Sequence, residues 1–278
     1  MHFEITKNYS LAVFGLILVI FSYILAIKKF HYFYTILVVG NFLVYNSLYY
    51  LLNKKYLLKL SSWLKFYVAL IPGGIIADMF MGRILSSLHY YPFYGPINYL
   101  IIYLIIYPLG GLILVYCYSL IKNLFKNYKE KKISLNSTKN ILIVGLFVSL
   151  FLIPITLIYK ESLPSFGFWI FTWITFAILF LMNLTNLFIS KNCLIKEITS
   201  LNRPAILSIL FTMFFNGFLH ELPNTFAWEW VYCKNCFPVN TAILQIPLWV
   251  ITLGWLGMTI ILVSYFQLLK NVKYINEI

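Results

Sequence analysis

Two acidic residues of this chain stand where an acid is hardest to keep. Asp78 lies inside an apolar stretch, with Arg83, His89 and Tyr91 following it. Glu221 ends another apolar stretch, directly after His220 and shortly before Asn224, Trp228, Glu229, Trp230 and Tyr232. A carboxyl group kept among aromatic rings and away from water can hold a proton and deliver it. The chemistry this suggests is general acid catalysis on an apolar molecule, with ring faces turned to any positive charge that develops. Glu221, Asp78 and His220 are therefore the candidate catalytic residues, His220 as the group that orients Glu221. The candidate substrate-binding residues are Trp228, Trp230, Tyr232, Asn224, His89, Tyr91, Arg83 and Glu229.

Each of these residues also has a plainer explanation. Asp78 and Arg83 can be an ion pair that holds helices together, because a charge at membrane depth costs at least ~2.5–3.5 kcal/mol and is normally paired. On a regular α-helix they lie about 140° apart, while Asp78 and His89 share a face with His89 about 16 Å further along. Pro72-Gly73-Gly74 should loosen that helix. Trp and Tyr near a helix end can form an interfacial belt. Pro223 should stop its helix or start another at Asn224. If 224–232 is helical, Trp228 aligns with Tyr232 and Phe226 with Trp230. Cys233 and Cys236 can form an outer-loop disulfide, remain free or bind metal. A zinc site needs four ligands, and only His220 and Glu221 stand near them. No metal and no cofactor is expected: the HExxH, Walker and GxGxxG patterns are all absent.

The elements that must position these residues are membrane helices. The chain is 62% hydrophobic and only 10% charged, against about 25% charged in soluble domains. Apolar runs long enough to span a bilayer recur at 11–27, 32–52, 64–88, 97–121, 141–159, 165–190, 205–221 and 241–268. The expected fold is all-α: a polytopic integral membrane bundle of about eight transmembrane helices, a single domain over 1–278. The net charge of +13 belongs to the loops and implies no nucleic-acid partner. The loops after the second, fourth and sixth spans hold four, six and three Lys or Arg, thirteen in all, while the alternate loops hold Lys28, Lys29, Lys160 and Lys234. Both termini are thus expected in the cytoplasm, with turns 89–96 and 221–240 outside. The basic loop 123–139 would join two weakly similar halves, 1–122 and 140–270, as parallel four-helix repeats. In each half an acid is followed by an aromatic triplet, His89-Tyr90-Tyr91 or Trp230-Val231-Tyr232, then a turn and a Pro-Leu pair at Pro108 or Pro247.

This pattern resembles the membrane carotenoid-biosynthesis proteins of the small lycopene cyclase and carotenoid hydratase type. Glu221, Trp230, Tyr232, Pro247, Leu248 and Trp255 carry the resemblance, with Asp78, Tyr91 and Pro108 as first-half counterparts. It covers about a third of the chain, in short motifs, and His220-Glu221-Leu222-Pro223 departs from the pattern. The resemblance implies an enzyme that modifies an isoprenoid or other lipid by acid-catalysed cyclisation or hydration. Its partners would be membrane lipids and a hydrophobic small-molecule substrate, in a multi-pass membrane setting such as the plasma membrane of a prokaryote. The alternatives are a transporter with a polar site at Asp78 and Arg83, and a non-catalytic scaffold.

The charge bias generates a test of orientation. A single cysteine placed at Asn136 is expected to react only with membrane-permeable reagents in intact cells. Labelling by an impermeant reagent would reverse the assignment.

Overall fold

A computed structural model of the chain describes residues 2–125, 135–238 and 241–276. Among these residues eight helices are long and apolar enough to cross a membrane: Phe3–Ile27, Phe33–Asn53, Leu60–Leu85, Pro96–Leu124, Leu135–Ile158, Phe166–Ser190, Arg203–Ala227 and Val250–Asn271. The chain is an integral, multi-pass membrane protein with an all-α helix bundle. Of the basic loop, Lys126, Lys129, Lys131 and Lys132 lie outside the described residues.

Backbone polarity explains the helices. In hydrocarbon every N–H and C=O must be satisfied within its own segment, which a continuous helix achieves. Helix α1 (His2–Ile27) and α6 (Leu135–Ile158) are apolar around most of their circumference. Both expose large side chains such as Phe14, Ile17, Phe147 and Phe151, the surface expected to face lipid. Helix α5 (Tyr107–Leu124) is the centre, with twelve buried residues from Pro108 to Ile121. It packs against α2 (Phe33–Asn53), α3 (Leu60–Gly74), α9 (Arg203–Ala227) and α10 (Trp255–Asn271). Between α7 (Phe166–Ser190) and α10, the Asn183 amide donates to Ser264 Oγ and the Asn186 amide to the Ser264 carbonyl, both at 2.9 Å. Such polar contacts hold helices together where lipid removes the hydrophobic drive to associate.

Several expected boundaries need correction. The third span does not continue to residue 88; it stops at Leu85 and the chain turns through Ser87, at φ 51°. Pro223 does not end its helix, since α9 runs through it to Ala227. Residues 224–232 are not one helix: Trp228 caps α9 in the left-handed conformation and an extended segment follows. The last span begins at Val250 rather than 241, because 242–247 form a hairpin. The loosening expected after Pro72-Gly73-Gly74 takes a definite form. From Ile75 to Leu85 the chain winds as a π-helix, with i→i+5 hydrogen bonds. Shorter π turns occur at Ile102–Ile106 and Val250–Gly254.

The four turns that follow the odd-numbered spans meet at one end of the bundle. Strand β1 (His89–Tyr90) pairs antiparallel with β2 (Val231–Tyr232), His89 opposite Tyr232 and Tyr90 opposite Val231. The Tyr94 hydroxyl lies 3.2 Å from the His31 carbonyl, and Gly167 packs on the Ser86 carbonyl. Cys233 and Cys236 form a disulfide beside this strand pair, and β3 (Ala242–Ile243) and β4 (Ile246–Pro247) make the hairpin. At the opposite end Lys122 pairs with Glu197 at 2.5 Å and the Asn276 amide bonds Ser62 Oγ at 2.9 Å.

Helices α1 and α2 approach through Gly15 and Gly40. A Cβ on Gly40 would stand 2.8 Å from the Gly15 carbonyl oxygen. Gly40→Ala should destabilise the protein by about 1–3 kcal/mol through overpacking. Gly73→Ala, which meets nothing within 4 Å, serves as the control. Thermal unfolding in detergent measures both, and equal melting temperatures would refute the close-approach argument.

Candidate functional site

The π winding decides where Asp78 and Arg83 sit. With i→i+5 hydrogen bonds, residues five apart stack one turn above another instead of diverging around an α-helix. Arg83 Nε is 3.1 Å from Asp78 Oδ2. The early stop of the helix then lets β1 fold back, so His89 Nε2 lies 2.6 Å from Asp78 Oδ1 and not a helix length away. The hydroxyls of Tyr91 (3.1 Å) and Tyr107 (2.7 Å) donate to Oδ1, and that of Tyr103 (2.8 Å) to Oδ2. Asp78 is buried, and every one of these contacts is one that a carboxylate accepts. The Arg83 guanidinium also bonds the Tyr103 hydroxyl and lies over the rings of Tyr99 (4.4 Å), Tyr91 (5.6 Å) and Tyr103 (6.0 Å). Burial, then the Asp78 charge, pushes the Tyr91 phenol well above its ordinary value, so it remains a donor.

Glu221 is enclosed differently. Its Oε1 accepts from the Tyr232 hydroxyl at 2.7 Å and from the Trp255 indole at 3.1 Å. Its Oε2 accepts from the Trp230 indole at 3.2 Å. All three donors are neutral, and among the described side chains no cation pairs with Glu221. Burial, then the Glu221 charge, likewise pushes the Tyr232 phenol well up and keeps it a donor. Beside this carboxyl is a cavity of about 420 Å³, whose walls include Glu221, Asn224, Trp228, Trp230, Tyr232 and Ile246. Trp228, Ala242 and Gln245 are exposed at its mouth.

The two clusters are built on one plan. Gly74 lies four residues before Asp78, and Gly217 four before Glu221. A Cβ on Gly74 would strike Tyr107 Cβ at 2.6 Å and its ring at 2.8 Å, and one on Gly217 would press on the Trp255 ring at 3.3 Å. Tyr107 and Trp255 are each the first residue after a π turn, and each bonds the acid of its own half. His89 and Tyr91 serve Asp78 as Trp230 and Tyr232 serve Glu221. The β1–β2 pairing then places the halves back to back, with the His89 and Tyr232 ring centroids 6.3 Å apart. One expected correspondence fails: Pro108 is inside α5 after its π turn, whereas Pro247 is in the hairpin before the other.

Comparison with protein-family models, curated proteins and solved structures finds no match. The reading of the site therefore rests on its own geometry.

The remaining predicted residues are placed as follows. His220 is buried but turned away from Glu221: Nδ1 is 2.9 Å from the Tyr34 hydroxyl and Nε2 3.3 Å from the Asn41 amide. Consecutive residues on an α-helix point about 100° apart, which is why adjacency in sequence does not bring contact. Asn224 fastens the chain after α9, donating to the Trp230 carbonyl at 2.7 Å and accepting from the Trp230 amide at 3.2 Å. Glu229 belongs to neither cluster: it accepts from the Tyr34 backbone amide at 3.2 Å and contacts the Tyr94 hydroxyl. Sequence reasoning missed Tyr99, Tyr103 and Tyr107, and the bond from Trp255. Their signals were a Tyr every fourth residue in an apolar run and a glycine four residues before each acid.

Glu229 generates a pH test. Burial pushes its carboxyl well above the ordinary carboxylate range, with the Tyr34 amide opposing. The single proton of the Tyr94 hydroxyl cannot serve both Glu229 and the His31 carbonyl. Both contacts are satisfied when Glu229 carries a proton and donates it to Tyr94. A raised folded value means that this stabilisation is complete below the ordinary range and lost as pH rises through the raised value. The melting temperature should therefore fall between mildly acidic and alkaline pH, and Glu229→Gln, which keeps both bonds, should flatten that slope. A wild-type slope unchanged in Glu229→Gln would assign it elsewhere.

Proposed function

We propose that the chain is a membrane enzyme that protonates a carbon–carbon double bond of an isoprenoid lipid, a carotenoid-type polyene being the substrate class, and so drives cyclisation or hydration. The observation that carries this reading is a buried carboxyl that has no salt-bridge partner among the described residues, fixed by three neutral donors at the wall of an aromatic-lined cavity. Oε1 accepts two hydrogen bonds and Oε2 one, which makes Oε2 the oxygen with room to carry the proton. In the step proposed, the O–H bond of Glu221 breaks and the π electrons of the alkene form the new C–H bond. A carbocation and the Glu221 carboxylate remain. Cyclisation ends when the cation gives up a proton, and hydration when water adds and gives one up; in either case the proton returns to the Glu221 carboxylate and restores the acid.

Trp228, Trp230 and Tyr232 are the ring faces available to the cation, and Tyr232, Trp230 and Trp255 hold the carboxyl in place. His220 would act at a distance, by fixing α9 against Tyr34 and Asn41. Asp78, bonded to Arg83 and His89, would serve as a fixed negative charge behind the strand pair rather than as a second acid. The same enclosure speaks against a carrier with its polar site at Asp78 and Arg83, since five side chains surround that carboxylate. Both termini are proposed to be cytoplasmic, which puts the cavity near the outer face.

Glu221→Gln keeps the side chain's shape but cannot deliver a proton. It should lower product formation by ~10²–10⁴-fold, the usual worth of general acid catalysis, with folded yield retained. Lipid extracts of expressing cells report the product, and size-exclusion in detergent reports the fold. Full activity in a well-folded Glu221→Gln protein would remove Glu221 from catalysis and the enzyme reading with it.

A further inference from the structure

The half-site around Asp78 already holds a cation. The Arg83 guanidinium is bonded to the carboxylate and lies over the rings of Tyr91 and Tyr99, arriving from five residues along the same helix. The half-site around Glu221 has the same glycine, acid, strand and post-π aromatic, but the residue five beyond its acid is Phe226. Phe226 is exposed and brings no charge. Where the first half is filled by its own guanidinium, the second has a cavity of about 420 Å³ with Glu221, Trp228, Trp230 and Tyr232 in its walls. A carboxylate with two or more ring faces is the usual recognition set for an alkylammonium group.

We infer that the Glu221 cavity is a binding site for a small organic cation, an alkylated ammonium group, in the place that Arg83 fills in the other half. The charge meets the Glu221 carboxylate, and the methyl groups meet the faces of Trp228 and Trp230. The volume accommodates a trimethylammonium head with a short chain. Binding needs no turnover, but it needs Glu221 ionised where proton transfer needs it protonated, so cation and polyene would compete for one site and either reading can fail alone.

The test uses the full chain in non-ionic detergent with two ligands of one shape, choline and 3,3-dimethylbutan-1-ol, which differ in charge. Choline should change tryptophan fluorescence saturably and raise the melting temperature, while the neutral alcohol should do neither. Glu221→Gln should weaken choline at least tenfold. Should that variant fail to fold, Trp228→Ala, at the exposed mouth of the cavity, should weaken choline and remove most of the fluorescence change. Equal responses to the two ligands, no response to choline, or undiminished choline binding in either folded variant would each overturn the inference.

Discussion

A carboxylate withdrawn from water must be met by donors, and at membrane depth the chain itself must supply them. That constraint shapes this bundle more than apolar packing does, because lipid can satisfy an apolar surface equally well. Asp78 draws donors from three places: its own π-helix, the returning strand β1, and the helix that starts at Pro96. Glu221 draws on β2 and α10. The glycines one turn before each acid let Tyr107 and Trp255 come close enough to bond it. A Cβ at Gly74 would hold Tyr107 off the carboxyl, whereas one at Gly217 would only press on the Trp255 ring.

The turns at this end depend on the same constraint. The β1–β2 pair is only two residues long in each strand, too short to be stable alone in water. It persists because the residues at and beside it carry hydrogen bonds to buried acids on both sides. Glu229 adds a third tie, from the segment after α9 to the start of α2 and the Tyr94 loop. The end of the bundle that holds the cavity is therefore fastened by polar side chains, and Val19 and Ala26 of α1 add apolar packing on Phe33, Ala227 and Trp230.

The eight spans were legible because a bilayer imposes length and composition on each helix. Asp78 and Glu221 were legible as acids that must be buried with polar partners for the same reason, being expensive where they stand. The winding was not legible. An α-helix and a π-helix use the same apolar residues, so the expected 140° between Asp78 and Arg83 was wrong while the pairing itself was reasonable. The helix through Pro223 was misread because neighbouring contacts, here the Asn224 clamp on Trp230, outweigh the local cost of a proline. His220 shows the opposite error: adjacency to Glu221 suggested a partnership that helix geometry forbids. The likeness of the two acid clusters was visible in the aromatic triplets, but matching Pro108 with Pro247 put the following element out of register. The residue that follows the π turn, not the proline, is what the two halves share.

Chain length explains why two similar half-sites differ in what they can do. From Asp78 to His89 is eleven residues, and from Glu221 to Trp230 only nine. The first half uses its longer connection with the π winding, which carries Arg83 onto the carboxylate. After the strands the balance reverses: Tyr91 to Tyr107 is sixteen residues, whereas Tyr232 to Trp255 is twenty-three. The seven additional residues make room for the disulfide loop and the β3–β4 hairpin, and Ala242, Gln245, Ile246 and Pro247 of that hairpin wall the cavity. One half thus spends its extra chain bringing a charge to the acid, and the other on building a wall at some distance from it. The closed half can supply fixed negative charge and rigidity. The open half keeps its acid in the wall of a cavity among aromatic rings, which is where the proposed substrate would be held.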